Sequence, residues 1–115
     1  MVKILAYGTL REGDYNFDRM ASAFGVDSIK KVGETELSGY KMHDLGFYPA
    51  IKEGTETDKI KCDILEVNEQ TARAIDYMES GAGYKTVETD LGKIYVFEGN
   101  LSNRPIITSG DWFNK

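Results

Sequence analysis

Cysteine is almost missing from this sequence: Cys62 is the only one in 115 residues. An internal disulfide is therefore excluded, which fits a reducing compartment and a cytoplasmic protein. Cys62 lies in the strand-like run Ile60-Lys61-Cys62-Asp63-Ile64-Leu65 and reads as a half-buried thiol rather than a nucleophile. Histidine is as scarce, with His43 alone between Met42 and Asp44. Without a second histidine or a suitable cysteine, no zinc site is expected. A Ser-His-Asp triad would need His43, and no Gly-x-Ser-x-Gly elbow is present. Long apolar runs are also lacking. Met1-Val2-Lys3-Ile4-Leu5 is too short for a signal peptide, and nothing approaches the length of a membrane span. Positive charge is in deficit, with 14 Lys and Arg against 19 Asp and Glu, a net charge of −5. Lys30-Lys31 is the only adjacent basic pair. DNA, RNA and anionic membranes are thus not expected partners, since they need a basic face.

What is present is ordinary for a soluble globular protein: 41% hydrophobic and 29% charged residues,. The length suits one domain over residues 1–115, able to bury a core without metal or disulfide support. Val2 to Tyr7 is a short apolar run that reads as a buried strand ended by Gly8. Gly8 to Asp14 reads as a loop, and Tyr15 to Phe24 as a short helix stopped by Gly25. Ser28 to Ile51 alternates β-prone residues with Gly33, Gly39 and Gly46, which predicts two or three strands. Pro49 favours a turn or an edge. Glu53 to Lys59 is polar and loop-like, and Ile60 to Val67 is the next strand.

Asn68 is a good N-cap and Glu69 suits the positive end of a helix dipole. That helix should run to about Glu79, stopped by Gly81 and Gly83. Tyr84–Thr89 and Lys93–Phe97 read as a hairpin about Asp90-Leu91-Gly92. Pro105 to Phe113 reads as a short strand with an aromatic tail. Many short strands, one clear helix and frequent glycine indicate an α+β fold: a small mixed β-barrel with short flanking helices.

Three places can carry chemistry. Glu79 falls on the stripe of Ala72 and Ile75 at about 100° per residue. A carboxylate on that core-facing stripe belongs in a pocket, where burial raises its pKa toward that of a proton-transfer group. The alternative is a last-turn glutamate that frays outward and is solvated. Tyr7-Gly8-Thr9-Leu10 runs from strand to glycine loop, exposing backbone N–H groups that can cradle a carboxylate or oxyanion. On the Tyr-Gly-Thr triplet alone a plain turn is the commoner reading, and no Gly-Lys-Ser/Thr triplet makes it a phosphate loop. Tyr48 and Tyr84 are candidates for pocket walls, or for amphipathic core.

These pieces stand in a familiar order. Tyr7-Gly8-Thr9-Leu10-Arg11 resembles the YGTLR motif of the γ-glutamylcyclotransferase (AIG2-like) family. Leu45-Gly46-Phe47-Tyr48-Pro49-Ala50-Ile51 is similar to its central G-x-YPA segment. Asp76-Tyr77-Met78-Glu79 followed by Tyr84 resembles its LDxxEG…Y stretch, and Ser109-Gly110-Asp111-Trp112 its C-terminal SGDW. The sequence departs from that pattern at Cys62, Ile75, Ser80 and Thr86, changes expected to touch the pocket rim.

The resemblance implies a barrel-like α+β enzyme of lyase or acyltransferase type. Its substrate is a small molecule with a γ-glutamyl group, cyclised to 5-oxoproline with release of an amine. It implies Glu79 as acid/base, Tyr7, Gly8, Thr9, Leu10, Tyr48 and Tyr84 as substrate-binding residues, and no metal or organic cofactor. The other functional readings are a non-catalytic protein that binds a small anion in the same cavity, and an interaction module that keeps only the fold.

Overall fold

The computed structural model describes residues 1–115. The first strand, β1 (Val2–Ala6), lies at the centre of a five-stranded sheet. Helix α1 (Tyr15–Phe24) follows, then β2 (Ile29–Ser38), the hairpin strands β3 (Tyr40–Asp44) and β4 (Pro49–Glu53), and β5 (Lys59–Val67). Helix α2 (Glu69–Gly81), strands β6 (Tyr84–Thr89) and β7 (Gly92–Phe97), and a 3₁₀ turn at Trp112–Asn114 complete the molecule.

The sheet order is β2-β5-β1-β7-β6. β1 pairs antiparallel with β5 and parallel with β7. Only β3 and β4 stand apart, as a two-stranded ribbon. The sheet is curled but not closed, so the expected barrel is an open one whose edges are β2 and β6. Gly33, one of the glycines behind that expectation, stands at a register shift where exposed Val32 is left over in the β2–β5 ladder, and such bulges bend an edge strand.

Side-chain alternation sorts the core onto the two sheet faces. Ile4, Ala6, Leu65, Val67 and Tyr95 face the helices and pack with Met20, Ala72 and Ile75. Leu5, Tyr7, Cys62, Ile94 and Val96 face the other way, under Met42 and Ile51 of the ribbon and Ile107 and Trp112 of the tail. The ends of β1 and β4 therefore emerge between a helical layer and a ribbon layer.

Local chemistry sets the helix ends. The Asn68 side chain accepts from Thr71 N–H at 2.8 Å, as its N-cap role requires,. The helix runs past Glu79 because Gly81 is still helical. Ala82 then caps it by donating to the Met78 and Glu79 carbonyls, and Gly83 turns the backbone at φ +96°. Glu79 thus sits inside a bonded last turn rather than in a frayed one. At α1, Thr9 C=O accepts from both Asn16 N–H and Phe17 N–H, at 3.0 and 3.2 Å. The otherwise unpaired donors of the first turn are thereby spent on the preceding loop.

The strand expected within Pro105–Phe113 is absent. A single bridge joins Ile106 to His43, after which the backbone turns so that Gly110 C=O accepts from Lys61 N–H at 2.8 Å. Any substituent at Gly110 would put its Cβ 2.0 Å from Lys59 O. The tail therefore crosses from the ribbon to β5 at a close approach open only to glycine, and cannot stay extended along either.

Candidate active site

The end of β1 opens directly into a cavity of about 470 Å³, within the range of small-molecule sites. Tyr7, Gly8, Thr9, Leu10, Tyr48, Glu79 and Tyr84, the residues singled out from the sequence, all line it. Asn16 and Arg19 of α1, Phe47, Met78 and Tyr95 complete much of the wall. Asn16, Arg19 and Tyr95 carry no local signal in the sequence. They arrive because α1 packs across the loop and β7 lies beside β1.

Glu79 is the one acidic side chain on the wall. It has no hydrogen-bond or ion-pair partner within the protein, although three phenols surround it. Tyr7 donates to Tyr95 C=O at 2.6 Å, Tyr84 to Pro49 C=O at 2.8 Å, and Tyr95 to the Asp76 carboxylate. Each hydroxyl proton is committed elsewhere, so none stabilises the Glu79 carboxylate. Burial alone pushes its pKa up to about 7,. The phenols are held in their neutral forms. Burial raises Tyr7, Tyr84 and Tyr95, and the neighbouring Glu79 charge adds to each shift.

Asp76, three residues earlier on α2, is the contrast: it is held by Tyr95 and by Lys93 Nζ at 3.0 Å. It fastens α2 to β7 and so fixes the angle at which Glu79 enters the cavity.

Across from the helix, Gly8 and Thr9 spend their carbonyls internally, on Arg11 N–H and on the first turn of α1. The N–H groups of Gly8, Thr9 and Leu10 have no acceptor within the protein. Gly8, Thr9 and Leu10 line the cavity, and free backbone donors in such a loop suit a carboxylate or a developing oxyanion. Gly8 is required there, because a Cβ would lie 2.6 Å from Pro49 Cγ.

Arg11, the last residue of the same motif, is outside the cavity. Its side chain is 4% exposed and pairs with Asp63 at 3.4 Å and Asp111 at 2.7 Å. Phe113 lies under the guanidinium at 4.1 Å, Trp112 donates to Asp14 at 3.2 Å, and Glu12 N–H bonds Asp63 at 3.0 Å. Ser109-Gly110-Asp111-Trp112 is thus a clasp on the loop rather than part of the cavity.

The departures from the family pattern also lie elsewhere than expected. Ser80 and Thr86 are exposed and do not line the cavity. Ile75 is core, and Cys62 is buried on the ribbon face, where burial pushes its thiol up to about 12. No group of three His, Cys, Asp or Glu side chains converges in the fold, and no helix is long and apolar enough to cross a membrane.

The family model for gamma-glutamyl cyclotransferase, AIG2-like, matches residues 4–114. A curated relative from Pyrococcus horikoshii is 32% identical over 114 residues, covering 96% of this chain and 90% of the relative. One from Vibrio cholerae is 30% identical, covering 95% and 93%. Both carry the name "Putative gamma-glutamylcyclotransferase". The crystal structure of the Pyrococcus horikoshii protein superposes with a TM-score of 0.76 at 28% identity, covering 97% of this chain and 90% of that one.

Proposed function

The protein belongs to the gamma-glutamyl cyclotransferase, AIG2-like family, and on that premise we propose that it is an enzyme that converts a γ-glutamyl amide into 5-oxoproline and a free amine. The observation that carries this reading is Glu79: an unpartnered carboxyl with its pKa raised to about 7 by burial, in a cavity that Gly8, Thr9 and Leu10, with unclaimed backbone donors, also line.

The reaction needs a group that takes and returns protons near neutral pH. Ionised Glu79 removes a proton from the substrate's α-ammonium, and the freed amine attacks the γ-carbonyl carbon. A ring C–N bond forms and the exocyclic amide C–N bond breaks. Two protons pass in turn from the α-nitrogen to the departing nitrogen, and the carboxyl ends as it began. A pKa close to the working pH suits both halves of that task.

Gly8, Thr9 and Leu10 N–H groups hold the α-carboxylate, which sets the amine beside the γ-carbonyl. Because the attack is intramolecular, fixing that conformer removes much of the barrier. Tyr7, Tyr84 and Tyr48 shape the wall around the glutamyl group. The proposed setting is a reducing one such as the cytoplasm, in keeping with the single buried thiol.

The test is release of 5-oxoproline from a panel of γ-glutamyl amides by wild type and Glu79→Gln. Turnover by wild type with at least a hundredfold loss in the variant supports the reading. Tight binding of the panel without turnover in a folded wild-type protein replaces it with a small-anion-binding role.

A further inference from the structure

On the reading above, the amine portion of the substrate extends from the cavity of about 470 Å³ toward its exposed rim. The rim is built from Tyr15, Phe47 and Tyr48, which are 57%, 91% and 42% exposed, together with Arg19. Arg19 is the single cationic side chain on a wall whose single anion is Glu79. It forms no ion pair, although acidic residues outnumber basic ones 19 to 14 in the sequence.

Arg19 is exposed, with two neighbours that orient it. Its guanidinium donates to Asn16 Oδ1 at 3.4 Å and lies 5.9 Å from the centre of the Tyr15 ring. Asn16 is itself buried and donates to Thr9 Oγ1 at 2.8 Å. The cation is therefore tied, through one amide, to the loop that faces Glu79. An arginine without a carboxylate partner, oriented on two sides at the exit of a site, is suited to read an anion.

Resting on the cyclisation reading above, the geometry points to Arg19 as a specificity-determining residue that selects substrates whose amine portion carries a carboxylate. A leaving amine with a free carboxylate, as in an amino acid or peptide, meets the guanidinium as it passes the rim. A polyamine tail would bring a second cation to the same place and be disfavoured. The aromatic rim then accepts the remaining apolar bulk.

Three substrates of nearly equal size test this: γ-glutamylglycine, γ-glutamylglycinamide and the γ-glutamyl amide of ethylenediamine. Wild type should prefer them in that order, by about fivefold per charge step, the upper range for an exposed ion pair. The preference should appear in KM and shrink as salt is raised. Arg19→Lys should keep the order, Arg19→Gln flatten it, and Arg19→Glu reverse it. A flat order in wild type, or one unchanged in Arg19→Glu, overturns the inference. Equal loss on all three substrates does so as well, since Arg19 would then read the glutamyl end they share. Calorimetric titration of Glu79→Gln with the same compounds separates the two proposals. The same order of affinity without turnover in wild type would sink the cyclisation reading and leave the role of Arg19 standing. Flat affinities would sink the role of Arg19 whatever the turnover.

Discussion

One short segment, Tyr7 to Arg11, feeds two regions that treat polar groups in opposite ways. Around Arg11 charges are paired: the guanidinium meets two carboxylates, and Asp63 also takes Glu12 N–H. A few residues earlier, on the other side of β1, the backbone donors of Gly8 to Leu10 and the Glu79 carboxyl are left without partners. Leaving buried polar groups unpaired costs stability. The saturated cluster anchors the loop that borders the unsaturated one.

The largest effect that tests this contrast is on turnover. Glu79→Gln should lower kcat by about 10³-fold, within the usual range for general acid/base residues, while the folded baseline in circular dichroism is unchanged. Residual activity within tenfold of wild type would place the proton transfer on another group. Next in size is Arg11→Ala, which takes the ion-pair partner from Asp111 and leaves Asp63 with only Lys31 Nζ at 3.4 Å and Glu12 N–H at 3.0 Å. Removing one partner of a buried pair costs about 3–5 kcal/mol, to be read as a lower urea midpoint. A change below about 1 kcal/mol would show that the clasp does not depend on Arg11.

The contrast also has a pH sign. Glu79 has a folded-state pKa of about 7 against an ordinary 4.5, so the native state holds its proton longer than the unfolded chain. Its contribution to stability is neutral below the unfolded value, turns unfavourable as pH rises past that value, and levels off above the folded one. Wild type should therefore lose stability relative to Glu79→Gln between about pH 5 and pH 8. The expected difference is on the order of 2 kcal/mol, reduced from the full shift because the cavity is open to water. Parallel stability curves for the two proteins would mean that Glu79 is solvated after all. In activity the same group predicts kcat/KM rising with pH through a midpoint near 7.

The sequence is informative where local rules decide and silent where packing decides. Asn68 and the spacing of Ala72, Ile75 and Glu79 contain the helix and its buried stripe, because capping and 3.6-residue periodicity are local. The strand-to-glycine step at Tyr7-Gly8 contains the donor loop for the same reason. Nothing local to Arg19 or Tyr95 announces a cavity wall, since each is brought there by an element packing across β1. The Pro105–Phe113 strand fails because Gly110, read as part of an extended segment, makes a close crossing over Lys59. Whether the barrel closes is hidden for a similar reason: glycine frequency reports bends, not whether β2 and β6 meet.

The smallest effect asks whether the phenols belong to the unsaturated region or only enclose it. Tyr84 donates to Pro49 C=O, the residue whose ring lies against Gly8. Tyr84→Phe should cost about 1 kcal/mol, one buried hydrogen bond, and leave Pro49 C=O unpaired. The loosened Pro49 should blur the loop and raise KM a few-fold. The kcat/KM midpoint should stay near 7, because the Tyr84 proton points at Pro49 and not at Glu79. A midpoint shifted upward by half a unit or more would mean that Tyr84 stabilises the Glu79 carboxylate in the free enzyme. The phenol would then divide its proton between Pro49 and Glu79 before substrate arrives, and the boundary between the two regions would run through Tyr84 itself.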